Sequence, residues 1–305
     1  MSGVARFLVG PVDDADAALA IARACDVAEV GVAVTEPRHI TDDLEDPAVD
    51  VARDTWLVRA ADGTPVAFAI VFASDPDGLQ RSWARVHPDH ATDDLAALVF
   101  DRLEERARGR AEGAPAPRVN TLVDAADPFL ASFLERRGYV EVRRLHHLQR
   151  ALGADDRDPG APPAGVSARR IDAATDLAAL ADLDDEVFRG SFGYTRPTLD
   201  RWRAQFLEPA HPASTLVLDG DRAVAFALLM PGEPAWIEVI GVAADHRRRG
   251  IATWLLRRAF HDLAADGVAT VRLAVDGANP HGATRVYERA GMRVLRTSVV
   301  VERPL

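Results

Sequence analysis

The chain repeats itself. Val66-Ala67-Phe68-Ala69 returns as Val224-Ala225-Phe226-Ala227, and Val86-His87-Pro88-Asp89-His90 returns as Val242-Ala243-Ala244-Asp245-His246. Asp124-Ala125-Ala126-Asp127-Pro128 returns as Asp276-Gly277-Ala278-Asn279-Pro280, and Glu135-Arg136-Arg137-Gly138 as Glu288-Arg289-Ala290-Gly291. Any one match is of the size chance produces. Four in the same order, at separations of about 152 to 158 residues, mark a tandem duplication. A length of 305 residues suits two such copies. Between them, Gly153 to Gly165 holds Asp155, Asp156, Asp158, Pro159, Pro162 and Pro163. Proline blocks helix continuation and the carboxylates prefer water, so this stretch reads as a solvated connector. The expected organisation is a first domain over 1–152, a linker over 153–165 and a second domain over 166–305.

The second copy reads as an alternation of strands and helices. Strands are expected at Val166 to Ile171, Thr215 to Leu218, Ala223 to Met230, Trp236 to Val242, Thr270 to Val275 and Met292 to Val301. Asp219-Gly220-Asp221-Arg222 is a hairpin signal between the second and third of these. Ala173 to Val187 has helical spacing, with Leu177, Leu180, Leu183 and Val187 on one face. Further helices are expected around Leu199 to Leu207, over Gly250 to Ala265 with Leu255, Leu256, Ala259 and Leu263 inward, and over Pro280 to Ala290. The first copy reads similarly from Arg6 to Arg150. The predicted fold class is α+β, each copy a mixed, mainly antiparallel sheet flanked by helices.

The most informative stretch runs from Val239 to Leu256. A strand ends at Val242, a basic turn follows, and Gly250 opens a helix. The first turn of a helix carries N–H groups with no internal partner, and its dipole favours an anion there. Glycine at 250 lets a phosphate approach the main chain with no Cβ in the way, Ala252 nearly so, and Arg247, Arg248 and Arg249 add positive charge. These are the parts of a pyrophosphate cradle; the same residues also fit a surface helix that follows three arginines. There is no G-x-G-x-x-G and no G-K-[ST].

Strand, then [QR]-x-x-G-x-[GA], then helix resembles the acetyl-CoA-binding motif of the GNAT acetyltransferase superfamily, here Arg247-Arg248-Arg249-Gly250-Ile251-Ala252. The stretch from Asn279 through Ala283, Tyr287 and Gly291 to Met292 resembles that family's second signature. The resemblance covers residues 166–305 directly and the first copy through the repeat. It implies acetyl-CoA as co-substrate. Val242 and Ala244 would offer backbone hydrogen bonds to the pantetheine arm, and N–H groups around Arg248, Arg249, Gly250, Ala252 and Thr253 would meet the phosphates. The strand would splay from its neighbour to open a wedge for the thioester. The layout of two copies with chemistry in the second is similar to that of the mycothiol synthase family.

Acyl transfer to an amine requires a neutral amine, a stabilised oxyanion and a proton for the departing thiolate. The resemblance gives the last task to Tyr287, whose phenol stays protonated at neutral pH; a packed helical tyrosine is the alternative. Glu238, on the strand before the turn, is the expected general base, with a cross-strand partner or a substrate anchor as alternatives. Asn279 is expected to cap the following helix and to touch the cofactor arm. The acceptor is expected over the first two helices and the glycine-aromatic loop, near Asp184, Asp185, Glu186, Phe188, Phe192, Tyr194 and Trp202.

In the first copy, Ala91-Thr92-Asp93-Asp94-Leu95-Ala96 stands where the second has the arginine–glycine turn. Asp94 replaces Gly250, Asp93 sits beside it as a capping pair would, and the tyrosine's counterpart falls at Leu134 or Glu135. The first domain is therefore expected to bind no cofactor and to shape the acceptor cleft, and a monomer is expected because the duplication replaces a dimer. A net charge of −11 argues against nucleic acid and is compatible with a cationic acceptor. No apolar run suits a membrane, and Met1 to Gly10 lacks a leader pattern. The single cysteine, Cys25, excludes an intrachain disulfide. The nine histidines form no metal-binding spacing, the closest being His87/His90 and His146/His147. The cytoplasm and no metal are the expectations. The expected function is N-acetyltransfer to a primary amine of a small molecule. The alternatives are a cysteinyl amino-sugar acceptor, a protein amine, a longer acyl donor, or a non-catalytic CoA-binding scaffold.

Overall fold

The computed structural model describes residues 7–74, 77–279 and 282–305. The chain runs through β1 (Phe7–Gly10), α1 (Ala15–Val30), α2 (Pro37–Glu45), α3 (Val51–Asp54), β2 (Thr55–Ala60), β3 (Pro65–Ser74) and β4 (Leu79–Val86). After a 3-10 turn at Pro88–His90 come α4 (Asp93–Arg110), β5 (Arg118–Asp124), α5 (Pro128–Arg136) and β6 (Val140–Ala151). The second copy has β7 (Ser167–Arg170), α6 (Leu177–Phe188), α7 (Leu199–Trp202), β8 (Thr215–Asp219), β9 (Arg222–Met230) and β10 (Ala235–Val242). A 3-10 turn at Ala244–His246 precedes α8 (Ile251–Ala265), β11 (Thr270–Asp276), α9 (Ala283–Arg289) and β12 (Arg293–Pro304).

The duplication is visible in the strand registers. Phe68 lies opposite Arg85 and Ala67 opposite Val86, as Phe226 lies opposite Gly241 and Ala225 opposite Val242. In each copy one parallel pair interrupts the antiparallel ladder: β4 runs parallel to β5, and β10 parallel to β11. The mixed α+β expectation therefore holds for both copies.

The compact units do not end where composition suggests. One comprises residues up to 145 together with 296–305; the other comprises 146–295. The first unit orders its strands β1-β2-β3-β4-β5-β12, the second β6-β11-β10-β9-β8-β7. Each is thus completed by the closing strand of the other sequence copy; Ser298 to Pro304 pair with Asp124 to Arg118. Hydrogen bonding across a sheet is indifferent to chain order, which a boundary read from prolines and charges cannot capture.

The stretch over 153–165 is solvated, as its composition predicts, and it is also held at defined points. The Trp254 indole N–H donates to the Gly160 carbonyl at 3.0 Å, and Arg249 donates to the Ala164 carbonyl at 3.3 Å. His261 Nδ1 lies 2.9 Å from the Asp156 carbonyl oxygen. Polar composition announced exposure, but the carbonyls of an extended segment satisfy side chains of α8.

Two helix starts also move. The expected helix from Ala173 begins at Leu177, because the Asp176 carboxylate accepts the Asp172 N–H and two Arg169 bonds, folding 172–176 into a turn. The expected helix from Pro280 begins at Ala283, capped by Gly282 in the left-handed region at φ 68°. Asn279 therefore does not cap it. Pro280 and His281 lie outside the described residues, as does Arg6.

In the second unit α6 and α8 both pack on β9 and β10, and β9 is buried from Val224 to Met230. A strand covered on both faces explains the unbroken apolar run Val224 to Met230.

Candidate active site

The splay expected beside β10 is present. Strand β10 pairs with β11 only at Ala235–Val271 and Trp236–Arg272, although it continues to Val242. Beyond Trp236 its far edge is open. Ala243 N–H is spent on the Val224 carbonyl of β9. Backbone groups alternate sides along a strand, so those of Val242 face the open edge. The Val242 carbonyl accepts Arg247 Nε there at 3.1 Å.

A β-bulge between Ile237 and Val239 ejects Glu238 from the ladder opposite β9. Its side chain is solvent-exposed, on the splayed strand, nine residues before Arg247 of the basic turn. Bulges re-aim a side chain and bend the strand, which accounts for both the exposure of Glu238 and the end of pairing at Trp236.

At the end of β10 the turn Arg247 to Gly250 is built on two left-handed residues, Arg248 at φ 61° and Gly250 at φ 82°. Gly250 is the N-cap of α8 and supplies no side-chain acceptor; a Cβ there would meet open space. The first helical bond runs from Trp254 N–H to the Gly250 carbonyl. The N–H groups of Ile251, Ala252 and Thr253 thus have no acceptor within the helix and point out of its positive end. Arg248 and Arg249 are exposed beside them. The residues present fit a pyrophosphate.

The first copy is the internal contrast. There α4 starts two positions earlier, at Asp93, so the residues matching Arg249 and Gly250 are wound into the helix. The cap is Thr92, whose Oγ1 accepts the Leu95 N–H at 3.3 Å. The expected capping pair Asp93/Asp94 is thus corrected: Asp93 instead holds Arg136 at 3.0 Å. Position 85, matching Gly241, carries an arginine buried against Glu29 and Asp26. At Gly241 a Cβ would come within 2.8 Å of Phe226.

Tyr287 lies on α9, 8% exposed within the core cluster of β11 and α8, and burial pushes its phenol up to about 12. Among the described residues its hydroxyl has no hydrogen-bond partner. The bond from Met292 N–H to the Tyr287 carbonyl matches that from Tyr139 N–H to the Leu134 carbonyl. Its counterpart in the first copy is therefore Leu134.

The expected acceptor residues divide. Asp184 is buried, its carboxyl raised chiefly by burial, and accepts Tyr194 O–H at 3.0 Å. Phe192 is exposed, and Glu186 pairs with Arg222 at 3.4 Å. Trp202 is 1% exposed, with an indole nitrogen lacking a hydrogen-bond partner. It is a core residue, which corrects its expected place on the acceptor surface: helical spacing could not tell an outward aromatic from an inward one. Beside these residues an open cavity of about 350 Å³ is lined by Asp182, Asp185, Glu186, Arg189 and Arg196. The sequence reading missed His246, whose ring is buried between two carboxylates; its place in the repeat was the only signal.

A splayed parallel pair beside an uncapped, glycine-opened helix is the framework of a CoA-dependent acyltransferase. The sequence profile of the Acetyltransferase (GNAT) family matches residues 177–292. The chain is 28% identical to the mycothiol acetyltransferase of Mycobacteroides abscessus over 252 residues, 76% of this chain and 83% of that one. It is 26% identical to that of Saccharopolyspora erythraea over 77% of this chain and 80% of that one. A GCN5-related N-acetyltransferase from Sphaerobacter thermophilus superposes with a TM-score of 0.84 at 27% identity, over 99% of this chain and 97% of that one. A tandem GNAT protein from the clavulanic acid biosynthesis pathway superposes at 0.74, with 18% identity and 98% coverage of each chain, a likeness of fold. The second copy thus carries the GNAT profile, and the chain as a whole is similar to tandem-layout GNAT acyltransferases, enzymes that use acetyl-CoA as co-substrate.

Proposed function

We propose that the chain transfers the acetyl group of acetyl-CoA to a primary amine of a small molecule, with the chemistry in the second copy. The observation that carries this reading is the contrast between two equivalent helices of one chain. α8 opens at Gly250 with unfilled N–H groups beside an open strand edge, while α4 is closed by Thr92 and two aspartates. One cofactor site per chain is the simplest account.

In this reading Arg248, Arg249, Gly250, Ile251, Ala252 and Thr253 hold the pyrophosphate, Arg247 props the turn through the Val242 carbonyl, and Val242 and Ala244 meet the pantetheine arm. Asn279, at the mouth of β11, contacts the arm without capping a helix. The amine attacks the thioester carbonyl, Glu238 takes its proton through water, the oxyanion meets a β10 N–H, and Tyr287 protonates the leaving thiolate. Asp184, Glu186, Phe192 and Tyr194 form the acceptor side.

The matches to mycothiol acetyltransferases over most of the chain favour one second reading, a cysteinyl amino-sugar acceptor. A panel of amines with acetyl-CoA and a free-thiol readout separates the two: cysteinyl conjugates alone would release CoA under the second.

Gly250→Asp places a carboxylate at the cradle and is expected to abolish acetyl-CoA binding by titration calorimetry. Gly250→Asn carries a similar backbone cost without the charge, about 1 kcal/mol, and is expected to bind weakly. Unchanged affinity in Gly250→Asp removes the cofactor site from this turn.

A further inference from the structure

His246 closes the 3-10 turn that delivers the chain from β10 into Arg247, and it is 5% exposed. Its Nδ1 lies 2.7 Å from Asp245 Oδ1 and its Nε2 lies 3.0 Å from Asp219 Oδ2. A neutral imidazole has one donor and one acceptor nitrogen, and two carboxylates offer only acceptors. Both contacts are hydrogen bonds only when the ring is the imidazolium.

The two carboxylates anchor different elements. Asp245 belongs to the turn itself. Asp219 is the last residue of β8, at the tip of the β8–β9 hairpin. On the far side of Asp245, Arg222 at the start of β9 donates at 2.6 Å and also pairs with Glu186 of α6 at 3.4 Å. The charges alternate: Asp219, His246, Asp245, Arg222, Glu186. The remaining charged group facing the ring is Arg249, whose positive charge opposes that of the imidazolium. The hairpin tip and α6 thereby fix the last turn before two left-handed residues, a backbone path that only surrounding structure can hold.

The first copy supplies the control. Its matching residue, His90, is exposed, with its ring against that of His87 at 5.3 Å. The copy that lacks the glycine turn also lacks the clamp.

We propose that His246, as an imidazolium held between Asp219 and Asp245, is a positioning residue that keeps the Arg247–Gly250 turn in its anion-accepting shape, so that acetyl-CoA affinity depends on its protonation. The proposal rests on the assignment of the cofactor to this turn. His246 is raised from its ordinary value, first by the hydrogen bond to Asp245 and then by that to Asp219. A group raised on folding contributes its stabilisation fully below its unfolded value, near 6.5, and loses it as pH rises through the folded value. The clamp thus weakens as pH rises above the ordinary histidine value.

The test is the acetyl-CoA dissociation constant by titration calorimetry from pH 6 to 9.5, for the parent protein, His246→Gln and Asp219→Asn, with unfolding midpoints to verify folding. In the parent, affinity should fall roughly fivefold as pH rises through the folded value of His246, the size of one ordinary net hydrogen bond. Asp219→Asn should keep the loss but move it to lower pH, and His246→Gln should bind at the parent's alkaline affinity throughout. Titration of the cofactor's own phosphate is common to all three and cancels in the comparison. Superimposable profiles in folded variants overturn the positioning role. Unchanged binding in Gly250→Asp overturns instead the cofactor assignment beneath it.

Discussion

Tyr287 and Asp184 show how burial sets what a side chain can do. The Tyr287 phenol, pushed up to about 12 by burial, stays protonated across the working range and is suited to donate. Tyr287→Phe keeps the ring in its core site and removes only the hydroxyl. Turnover should fall about 100-fold, the scale of one general-acid contribution, with acetyl-CoA affinity nearly intact; single-turnover kinetics and calorimetry on the same sample check the split. An equal loss in affinity would make the hydroxyl a binding group. Asp184 is shifted upward, the opposite direction to a paired carboxylate, because burial raises it. The folded state disfavours its charge, so its ionisation weakens the fold as pH rises above the ordinary carboxylate range. Asp184→Asn should therefore stabilise the protein more at pH 8 than at pH 5 in urea titrations, while weakening the acceptor's KM. Such a stability gain at the expense of function is the signature of a site residue. No gain at pH 8 would mean that Tyr194 already offsets the burial.

At the scale of elements, the two copies share strands and register and differ in how one helix begins. Thr92 closes α4, whereas α8 opens at a glycine with no side-chain cap. Glycine at an N-cap costs only a few tenths of a kcal/mol relative to Ser or Thr, and it leaves the first N–H groups of α8 open to an anion. Beside it, the bulge at Glu238 and the early end of pairing between β10 and β11 leave an open edge at the same end of the sheet. The first copy pairs β4 with β5 further, from Leu79 to Ser82, and fills the position matching Gly241 with Arg85. Loss of the cap, the shorter parallel pairing and the glycine travel together in the second copy.

At the scale of the molecule, the segment 296–305 belongs to the first unit although it ends the second copy. Arg296 holds Asp26 at 3.0 Å and Asp124 at 3.1 Å, two carboxylates that are 0% and 2% exposed. Removing one partner from a buried charge network leaves the others uncompensated. Arg296→Ala should cost about 3 kcal/mol in urea unfolding; a loss under about 1 kcal/mol would show that Arg85 and the Val34 and Thr35 N–H groups suffice for Asp26. Among the described residues no helix is long and apolar enough to cross a membrane.

The sequence by itself determined the duplication, the α+β class of each copy, the strand–turn–helix around Gly250 and its glycine-free counterpart at Asp94. These rest on local periodicity and on the backbone freedom of one glycine, which neighbouring residues encode. It did not show what holds the linker, it misplaced the cap at Asn279 and the surface position of Trp202, and it passed over His246. Those depend on partners far along the chain: Gly160 for Trp254, Asp219 for His246, β5 for the closing strand. Only the tertiary structure decided which strand completes which unit and which histidine is locked between carboxylates, because hydrogen bonds and ion pairs form by proximity in space and leave no period in the sequence.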